Sequence, residues 1–493
     1  MNSRWLFVAS CIALVTSAFT FVVRGDVLQD LGDFFRLTQE QKGGIEGAVF
    51  IGMALSMLGG GFICDLLGMK RIMWLAFACH LVGSLGTIYA PKFVPVENSY
   101  GWLFALSCLM GCGNGFTEVA INPLIATLYP TQKTHYLNIL HAWWPGGLVI
   151  GGITAQLIIR KFVPADGLFG LQLWQISLWL ITIPAVIYGI MLLPAKFPQS
   201  ERVQSGVSTG DMFKECLRPM FLLWAFCMLL TASTELGPQK WQESVMQSTT
   251  DGRVSGTMIL VYTSGMMFIL RHFAGPIAHR LSPVGMLCGS SALAGIGLYL
   301  LSTANSPATA FGFATIFGLG IAFFWPTMLG VTAERFPKGG ALALALMGSV
   351  GNLAISQVLP AMGKIVDHYA VAQVESSAPD YAKQILTFNE AGEAVTLNKD
   401  EMKALEKEVK TAKAEKQPVN EQDTAALAAA KSAESTGFSM AFRWVSVLPI
   451  ALVIIFGAIA LYDKARGGYK PELLMSRQEE NELYAGGVQA AVE

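Results

Sequence analysis

The chain has 493 residues, of which 53% are hydrophobic and 14% are charged. This composition is typical of a protein that crosses a membrane several times. The formal net charge of -1 gives no reason to expect a nucleic-acid partner. The sequence carries no phosphate-binding Gly-Lys motif and no Ser/His/Asp or metal-ligand constellation. An enzyme, an ATP-driven pump, a metal site and a cofactor are therefore not expected.

Apolar windows of about 20 residues recur along the chain, and each is long enough to cross the hydrocarbon core of a bilayer as a helix. The first window is followed by further spans, so we interpret it as a membrane helix and not as a signal peptide. The sequence thus predicts an all-α membrane protein with twelve transmembrane helices. The predicted spans are 5–24, 44–63, 72–90, 102–129, 137–159, 173–193, 219–236, 255–273, 284–303, 308–332, 341–366 and 440–461.

The distribution of Lys and Arg predicts the orientation of these helices. Arg4, Lys70, Lys133 and Lys464 fall on alternate loops, together with the basic residues of segment 194–218. Basic loops tend to stay in the cytoplasm, and an even number of spans puts both termini on one side. We therefore expect a multi-pass protein of the cell (inner) membrane, surrounded by the lipid bilayer, with both termini cytoplasmic.

The longest cytoplasmic loop divides the spans into six and six. We expect an N-terminal six-helix bundle at 1–193, a cytoplasmic linker at 194–218 and a C-terminal six-helix bundle at 219–461. A cytoplasmic tail at 462–493 completes the predicted organisation.

The two halves show traces of an internal repeat. A Gly-x-Gly pair at 111–113 precedes Pro130 by the same interval as the pair at 318–320 precedes Pro337. Two parallel six-helix pseudo-repeats, with a site at their interface near the membrane midplane, are typical of a transporter.

Segment 370–437 does not have the composition of a membrane span. It is polar, rich in Ala and dense in Lys and Glu. Met402, Leu405 and Val409 mark a narrow apolar stripe at helical spacing, so part of the segment is predicted to be helical. By parity the insertion lies outside the cell. We interpret it as a solvated helical insertion, with a lid or a partner-docking element as the alternative.

Glu118 lies halfway along the apolar segment 102–129, at a depth where an ionisable group costs about 2.5–3.5 kcal/mol and is by default functional. Asn122 is four residues later, so a helix puts both side chains on one face. Pro123 frees a backbone carbonyl one turn earlier, which a neighbouring helix or a ligand must satisfy. The internal offset sets Trp325 at the position equivalent to Glu118.

The predicted first cytoplasmic loop contains Gly61-Phe-Ile-Cys-Asp65-Leu-Leu-Gly68-Met-Lys70-Arg71. This segment resembles the signature of the major facilitator superfamily, although Leu66 replaces the usual basic residue after the Asp. The resemblance implies the major facilitator fold. It also implies that Asp65, Lys70 and Arg71 form a conformational latch.

Three further segments resemble the fucose permease-like branch of sugar:proton symporters. In that branch a Glu-x-x-x-Asn-Pro motif and a Leu-Asn motif line the sugar pocket. This sequence departs from the branch at His141 and Trp144, where amides are usual, so fucose itself is not assumed. The segments are Glu118-Val-Ala-Ile-Asn122-Pro123, Leu137-Asn138-Ile-Leu-His141-Ala-Trp143-Trp144, and Glu235 with Gly237 and Trp241.

The resemblance and the polar faces of the spans together give a candidate site. Glu118 is expected to couple proton movement to transport, with Asp26 or Asp30 as the acid of the first span. For the polar residues, a hydrogen bond between helices is the alternative interpretation. The expected substrate-binding residues are Arg24, Asn122, Asn138, His141, Trp144, Glu235, Gln239, Trp325 and Asn352.

These features predict a secondary active transporter that imports a monosaccharide or a close derivative with a proton, through alternating access. The first alternative is a proton-coupled carrier of small organic anions such as sugar acids, with Arg24 as the partner of the carboxylate. The second alternative is a transporter-like sugar sensor that binds without transport. Sodium coupling stays open beside proton coupling, and a monomer is expected.

Overall fold

The structure is a computed structural model that describes residues 3–37, 39–164, 167–250, 256–415, 418, 420–472 and 474. The described chain is almost entirely helical. The helices that precede the linker are α1 Ser3–Phe34, α2 Gln39–Leu67, α3 Met69–Ile88, α4 Ala90–Phe93, α5 Ser99–Leu128, α6 Lys133–Ile153, α7 Arg160–Phe162 and α8 Leu173–Leu192. A π-helical segment, Thr154–Ile159, follows α6.

The second part of the chain repeats this pattern of long helices. The elements are α9 Glu201–Gln204, α10 Thr209–Cys216, α11 Pro219–Thr249, α12 Gly256–Arg271, α13 Ala274–Leu281, α14 Pro283–Leu301, α15 Pro307–Ile321, α16 Phe324–Arg335, α17 Gly340–Ser377, α18 Ala382–Ile385, β1 Leu386–Phe388, β2 Ala394–Leu397, α19 Lys399–Ala414, α20 Glu421–Val445 and α21 Val447–Ala465. Short 3-10 turns occur at Val96–Asn98, Pro337–Gly339 and Pro379–Tyr381.

The helix count agrees with the predicted all-α membrane fold. Ten helical segments of the described residues are long and apolar enough to cross a membrane, and the bent pair formed by α12 and α13 is an eleventh. The remaining predicted span, 137–159, lies on α6 and the π-helical segment. The prediction of an all-helical membrane protein is confirmed, and twelve spans are consistent with these elements.

Glycines bring α2 and α5 into close contact. A Cβ atom at Gly52 would lie 1.9 Å from a backbone oxygen of α5, and one at Gly111 would lie 2.0 Å from the backbone oxygen of Val49. A Cβ atom at Gly115 would likewise lie 2.0 Å from Ser56 Oγ. Without side chains at these positions, the two backbones pack directly on each other, as membrane helices do where small residues meet.

Helices from before and after the linker also pack on each other. Helix α6 contacts α12 and α16, and α2 contacts α17. These contacts are between helices of the two predicted bundles, 1–193 and 219–461. The division into these bundles stays a prediction. Of the predicted tail 462–493, residues 473 and 475–493 lie outside the described residues.

The insertion forms a small folded unit of its own at the ends of α17 and α20. Its antiparallel strands pair Leu386 with Leu397, and helix α19 packs on α20. The apolar stripe predicted from sequence is buried, because Leu405 and its neighbours on α19 join one hydrophobic cluster with the strands and α20. We call the side of the helix bundle that carries this unit the insertion side, and the opposite side, where segment 194–218 lies, the linker side.

Candidate functional site

Three of the predicted site residues form one hydrogen-bonded group inside the bundle. Asn122 donates from Nδ2 to Glu118 Oε2 at 2.7 Å. Its Oδ1 atom lies 2.9 Å from His141 Nε2, which also lies 3.7 Å from Glu118 Oε2. All three side chains are buried. The four-residue spacing on α5 thus places an acid and an amide together, and α6 adds the histidine.

Arg271, at the end of α12, is a buried cation that the sequence analysis did not single out. Its side chain is 3% exposed and its Nη2 atom lies 3.3 Å from Glu235 Oε1 on α11. The guanidinium also donates from Nη1 to the carbonyl oxygen of His141 at 2.7 Å, and from Nε to that of Ala322 at 2.6 Å. Arg271 therefore joins α12 to α11, to α6 and to the break between α15 and α16.

Prolines explain why those two carbonyl groups are free to accept. In a helix, the carbonyl of residue i normally accepts from the N–H of residue i+4, and proline has none. Pro145 follows His141 by four residues, and Pro326 follows Ala322 by four. Arg271 therefore satisfies two carbonyls that proline leaves without their helical donor.

The same rule holds at Pro123. The sequence analysis expected the carbonyl one turn before it to find a partner outside its helix. The Val119 carbonyl accepts from the Cys64 thiol of α2 at 3.6 Å. A neighbouring helix, and not a ligand, fills this role.

The polar group therefore continues from Glu118 through Asn122 and His141 to Arg271 and Glu235. Arg271 and Glu235 form an ion pair, whereas Glu118 is hydrogen-bonded to a neutral amide. Charges buried in a membrane protein require a partner or a change of protonation. The arrangement can hold an anion against Arg271 and can take up a proton at Glu118.

Asn138 and Asn352 also lie in the interior. Asn138 donates to the Thr134 carbonyl at 2.8 Å and to Thr327 Oγ1 of α16 at 3.2 Å, while its buried Oδ1 atom has no hydrogen-bond partner among the residues that the structure describes. Asn352 donates to the Gly348 carbonyl at 2.9 Å and lies 3.5 Å from Met57 Sδ. Each amide thus lies between helices from before and after the linker.

Aromatic rings lie on the insertion side of His141. The Trp144 ring contacts Phe21 of α1 with a centroid distance of 5.0 Å, and Phe21 contacts Phe50 of α2 at 5.4 Å. Trp143 points towards α12 and contacts Phe268 at 5.5 Å. The sequence left open which of these tryptophans faces inward. In the structure they face different helices.

Trp325 and Gln239 belong to the other half of the predicted repeat. The Trp325 ring lies over α17, where Gly351 leaves room for it: a Cβ atom there would lie 2.6 Å from the ring. Gln239 Nε2 lies 3.5 Å from Met267 Sδ. Both side chains are partly buried.

Arg24 does not join the group around Glu118. It forms an ion pair with Glu46 at 3.2 Å and donates to Ser107 Oγ at 2.8 Å, so it links α1, α2 and α5. Its buried Nη1 atom has no hydrogen-bond partner within the described part of the chain. The ion pair that the structure gives Arg24 is thus formed within the helices that precede the linker.

Asp26 lies on α1, towards the insertion side of Glu118. Asn114 of α5 donates to Thr20 Oγ1 at 2.8 Å, which fixes the relative height of the two helices. Asp26 is six residues beyond Thr20 and Glu118 is four residues beyond Asn114, in opposite directions. At 1.5 Å per residue, the two acids are separated by about 15 Å along the bundle axis. This separation is too large for a direct contact between the two acids, and the proton-coupling role of Asp26 stays a prediction.

A second buried polar network lies beside the first, and the sequence analysis did not find it. His80 of α3 lies 3.0 Å from the Tyr188 hydroxyl through Nδ1 and 2.9 Å from Asn114 Oδ1 through Nε2. Together with Thr20 it joins α1, α3, α5 and α8. A His inside a predicted apolar span was the available signal.

The predicted latch residues lie at the linker side. Asp65 accepts from Arg202 Nε and from Ser200 Oγ, both at 2.6 Å, and its ion pair with Arg202 is buried. Lys70 donates to the Ala195 carbonyl at 2.7 Å, whereas Arg71 of α3 donates to the carbonyl of Leu67, the last residue of α2. The structure pairs Asp65 with the linker and not with Arg71.

The linker side is also where the two groups of helices are held by polar contacts. Lys133 Nζ lies 2.5 Å from Glu201 Oε2 and donates to the Ala333 carbonyl at 3.2 Å. The backbone N–H of Thr134 donates to Glu334 Oε1 at 3.0 Å. These contacts join the start of α6 to the end of α16.

A bundle of membrane-length helices around buried charged and polar side chains defines a polytopic membrane protein with an internal site, the architecture of a transporter. Residues 5–357 match the profile of the Major Facilitator Superfamily. The chain belongs to this superfamily of membrane transporters.

Relatives and solved structures agree with this family. A cis,cis-muconate transport protein of Acinetobacter baylyi is 24% identical over 370 residues, which cover 70% of this chain and 84% of the relative. A gentisate transporter of Corynebacterium glutamicum is 23% identical over 377 residues, covering 72% and 78%. The crystal structure of the transporter FucP in the outward conformation has a TM-score of 0.65 at 14% identity, covering 92% of this chain and 98% of that chain. This likeness shows the major facilitator fold that the signature segment implied.

Proposed function

We propose that this transporter carries small organic anions together with a proton, and that Arg271 binds the substrate carboxylate. The proposal depends mainly on the buried position of Arg271, which lies between a helix that precedes the linker and helices that follow it in the chain. A guanidinium has five N–H donors, and the contacts within the described residues account for three of them. The remaining donors suit a carboxylate, which Arg binds in a planar, bidentate geometry.

The relatives support the same class of substrate. Cis,cis-muconate and gentisate, for which two of them are named, are both organic carboxylates. The FucP likeness supports the fold alone, and a shared fold does not determine the substrate. The first alternative of the sequence analysis, an organic anion carrier, is therefore preferred to a monosaccharide carrier. Arg271 replaces Arg24 in it as the partner of the carboxylate.

We infer that Glu118 carries the coupled proton. It is the buried acid whose hydrogen-bond donor is a neutral amide, whereas Glu235 already faces a cation. A proton on Glu118 lowers the negative charge near Arg271 and so strengthens anion binding. Loss of the proton on the other side of the membrane weakens binding and favours release. This is coupling through differential affinity in two protonation states.

The remaining assignments keep the form in which the sequence predicted them, except that the predicted latch of Asp65, Lys70 and Arg71 is revised. We propose a monomer in the cell (inner) membrane with both termini in the cytoplasm. We also propose that Asp65 forms the latch of the linker side, with Arg202 as its partner. Opening that side would require the ion pair between them to separate.

The substrate class is tested by uptake into proteoliposomes that contain the full chain, with benzoate and a neutral hexose as the probes. We expect uptake of benzoate in the wild type and its loss in Arg271→Gln. Arg24→Gln is the matched control, since it removes another buried arginine whose ion pair lies within one group of helices. The proposal is wrong if Arg271→Gln keeps benzoate uptake, or if the wild type carries the hexose and no carboxylate.

A further inference from the structure

A second cation lies across the interface of the two helix groups, on the insertion side of Arg271. Lys240 of α11 places its Nζ atom 5.6 Å from the centroid of the Phe21 ring and 5.9 Å from that of Phe50. Phe21 and Phe50 belong to α1 and α2, so Lys240 reaches from one helix group to the other. Lys240 is an exposed residue.

An apolar aromatic surface connects the two cations. Arg271 holds the carbonyl of His141, and Trp144 is three residues further along α6 towards the insertion side. The Trp144 ring contacts Phe21, over which Lys240 lies. Along α11, Lys240 is five residues beyond the Glu235 that pairs with Arg271, a rise of about 7.5 Å. A flat ligand can therefore lie on the rings with one end towards each cation.

We propose that Lys240 is a second carboxylate-binding residue, so that the transporter prefers dianions whose carboxylates lie at opposite ends of a flat, unsaturated or aromatic skeleton. This inference rests on the proposed function and specifies its substrate class. Lys240 exchanges its contacts with the two rings for a contact with the outer carboxylate, while the skeleton packs on Phe21 and Trp144. Arg271 binds the inner carboxylate.

The charges around Lys240 favour an anion at this place. Arg24 and Glu46 lie one helical turn further towards the insertion side than Phe21 and Phe50, and they neutralise each other as an ion pair. Glu46 also acts electrostatically on Lys240, so Arg24, Glu46 and Lys240 together leave one net positive charge at the entrance. A cation at the entrance of a low-dielectric site raises the local concentration of anions. A Lys is a compact point charge on a flexible stem and can follow a ligand through the entrance.

The test compares benzoate with terephthalate, which has the same ring and a second carboxylate in the para position. The full chain is assayed in proteoliposomes as wild type, Lys240→Gln, Lys240→Arg and Lys92→Gln. Lys92 is the matched control, because it is an exposed lysine that lies 5.2 Å from the centroid of the nearby Tyr89 ring. Its substitution changes the net charge of the protein by the same amount.

We expect the wild type to prefer terephthalate to benzoate, and Lys240→Gln to lower kcat/KM for terephthalate about tenfold, the effect of one lost charge-assisted contact. Benzoate uptake should fall much less, because benzoate has no second carboxylate and loses only the attraction of the entrance charge. Lys240→Arg should retain the preference, and Lys92→Gln should behave as the wild type. Equal loss for both substrates, or no loss, in Lys240→Gln overturns the inference while leaving the proposed function intact. If the wild type carries no carboxylate, both fall together.

Discussion

The proposed proton-coupling role of Glu118 can be tested with Glu118→Gln. This substitution removes the proton-binding carboxylate and keeps the shape of the side chain. Glu118 is 4% exposed and accepts from Asn122 Nδ2 at 2.7 Å. The amide oxygen of Gln can accept the same hydrogen bond. A hydrogen bond to a charged group contributes about 1 kcal/mol more than one to a neutral group. The free energy of unfolding should therefore fall by about 1 kcal/mol at most, and the protein should stay folded.

The effect on coupling should be much larger. For a monoanion carried with one proton, a gradient of one pH unit supports an accumulation ratio of about ten, since one unit corresponds to about 1.4 kcal/mol per proton. We expect the wild type to approach this ratio and Glu118→Gln to stay at a ratio of about one. Exchange of labelled for unlabelled substrate should persist in the variant, because it does not require net proton movement.

The assay measures pH-driven accumulation and counterflow in the same proteoliposome preparation. Glu235→Gln is the control, since it neutralises another buried acid that pairs with Arg271, and it should keep accumulation. Accumulation against a gradient by Glu118→Gln would refute the coupling role. Loss of accumulation in Glu235→Gln alone would assign the proton to Glu235.

Three further predictions concern other parts of the molecule. Gly52→Leu should abolish the folded monodisperse protein in size-exclusion chromatography, because even a Cβ atom would lie 1.9 Å from a backbone oxygen of α5. Asp65→Asn should increase protease cleavage in the linker, since breaking a buried ion pair costs about 3–5 kcal/mol. Adding Arg202→Gln to this variant should reverse part of the increase. Unchanged cleavage in Asp65→Asn would argue against the latch. In the insertion, the hydrogen bond from Lys431 lowers the pKa of Glu406, so its contribution to stability is present at neutral pH and lost as the pH falls below the ordinary glutamate range, near 4. The protection factors of the α19 amides in hydrogen exchange, which correct for the intrinsic pH dependence of the exchange rate, should therefore fall in acid, and equal protection factors at pH 7 and at about pH 3 would contradict this.

Glu118 and the helix face that it shares with Asn122 were predictable from the sequence, because helical periodicity brings residues four apart together whatever surrounds them. The unsatisfied carbonyl before Pro123 was also predictable, since the missing N–H of proline is a local property. The structure supplied the partner, Cys64, from another helix. Composition and hydropathy were likewise sufficient for the membrane helices, because the bilayer demands long apolar helices.

The position of Arg271 could not be predicted from the sequence. It lies within a predicted apolar span, and the prolines that free its two carbonyl partners are visible in the sequence. The contact of Arg271 with these two carbonyls is not visible in the sequence, since it depends on which faces of α6, α12 and α15 pack together. Likewise, the charge on Asp65 was recognised, but its partner Arg202 is 137 residues away. The latch predicted from the sequence instead grouped Asp65 with Arg71, which is close to it in the chain.

Local properties can be derived from the amino-acid sequence: the membrane helices, the buried acid, the signature segment of the family and the apolar stripe of the insertion. Each depends on a repeat of a few residues or on the solvent that surrounds a single helix. The pairings of the charged side chains depend on how the helices pack, above all the position of Arg271 between two groups of helices. A buried charge takes its partner from whichever helix packs beside it, and that helix is set by the packing of the whole bundle.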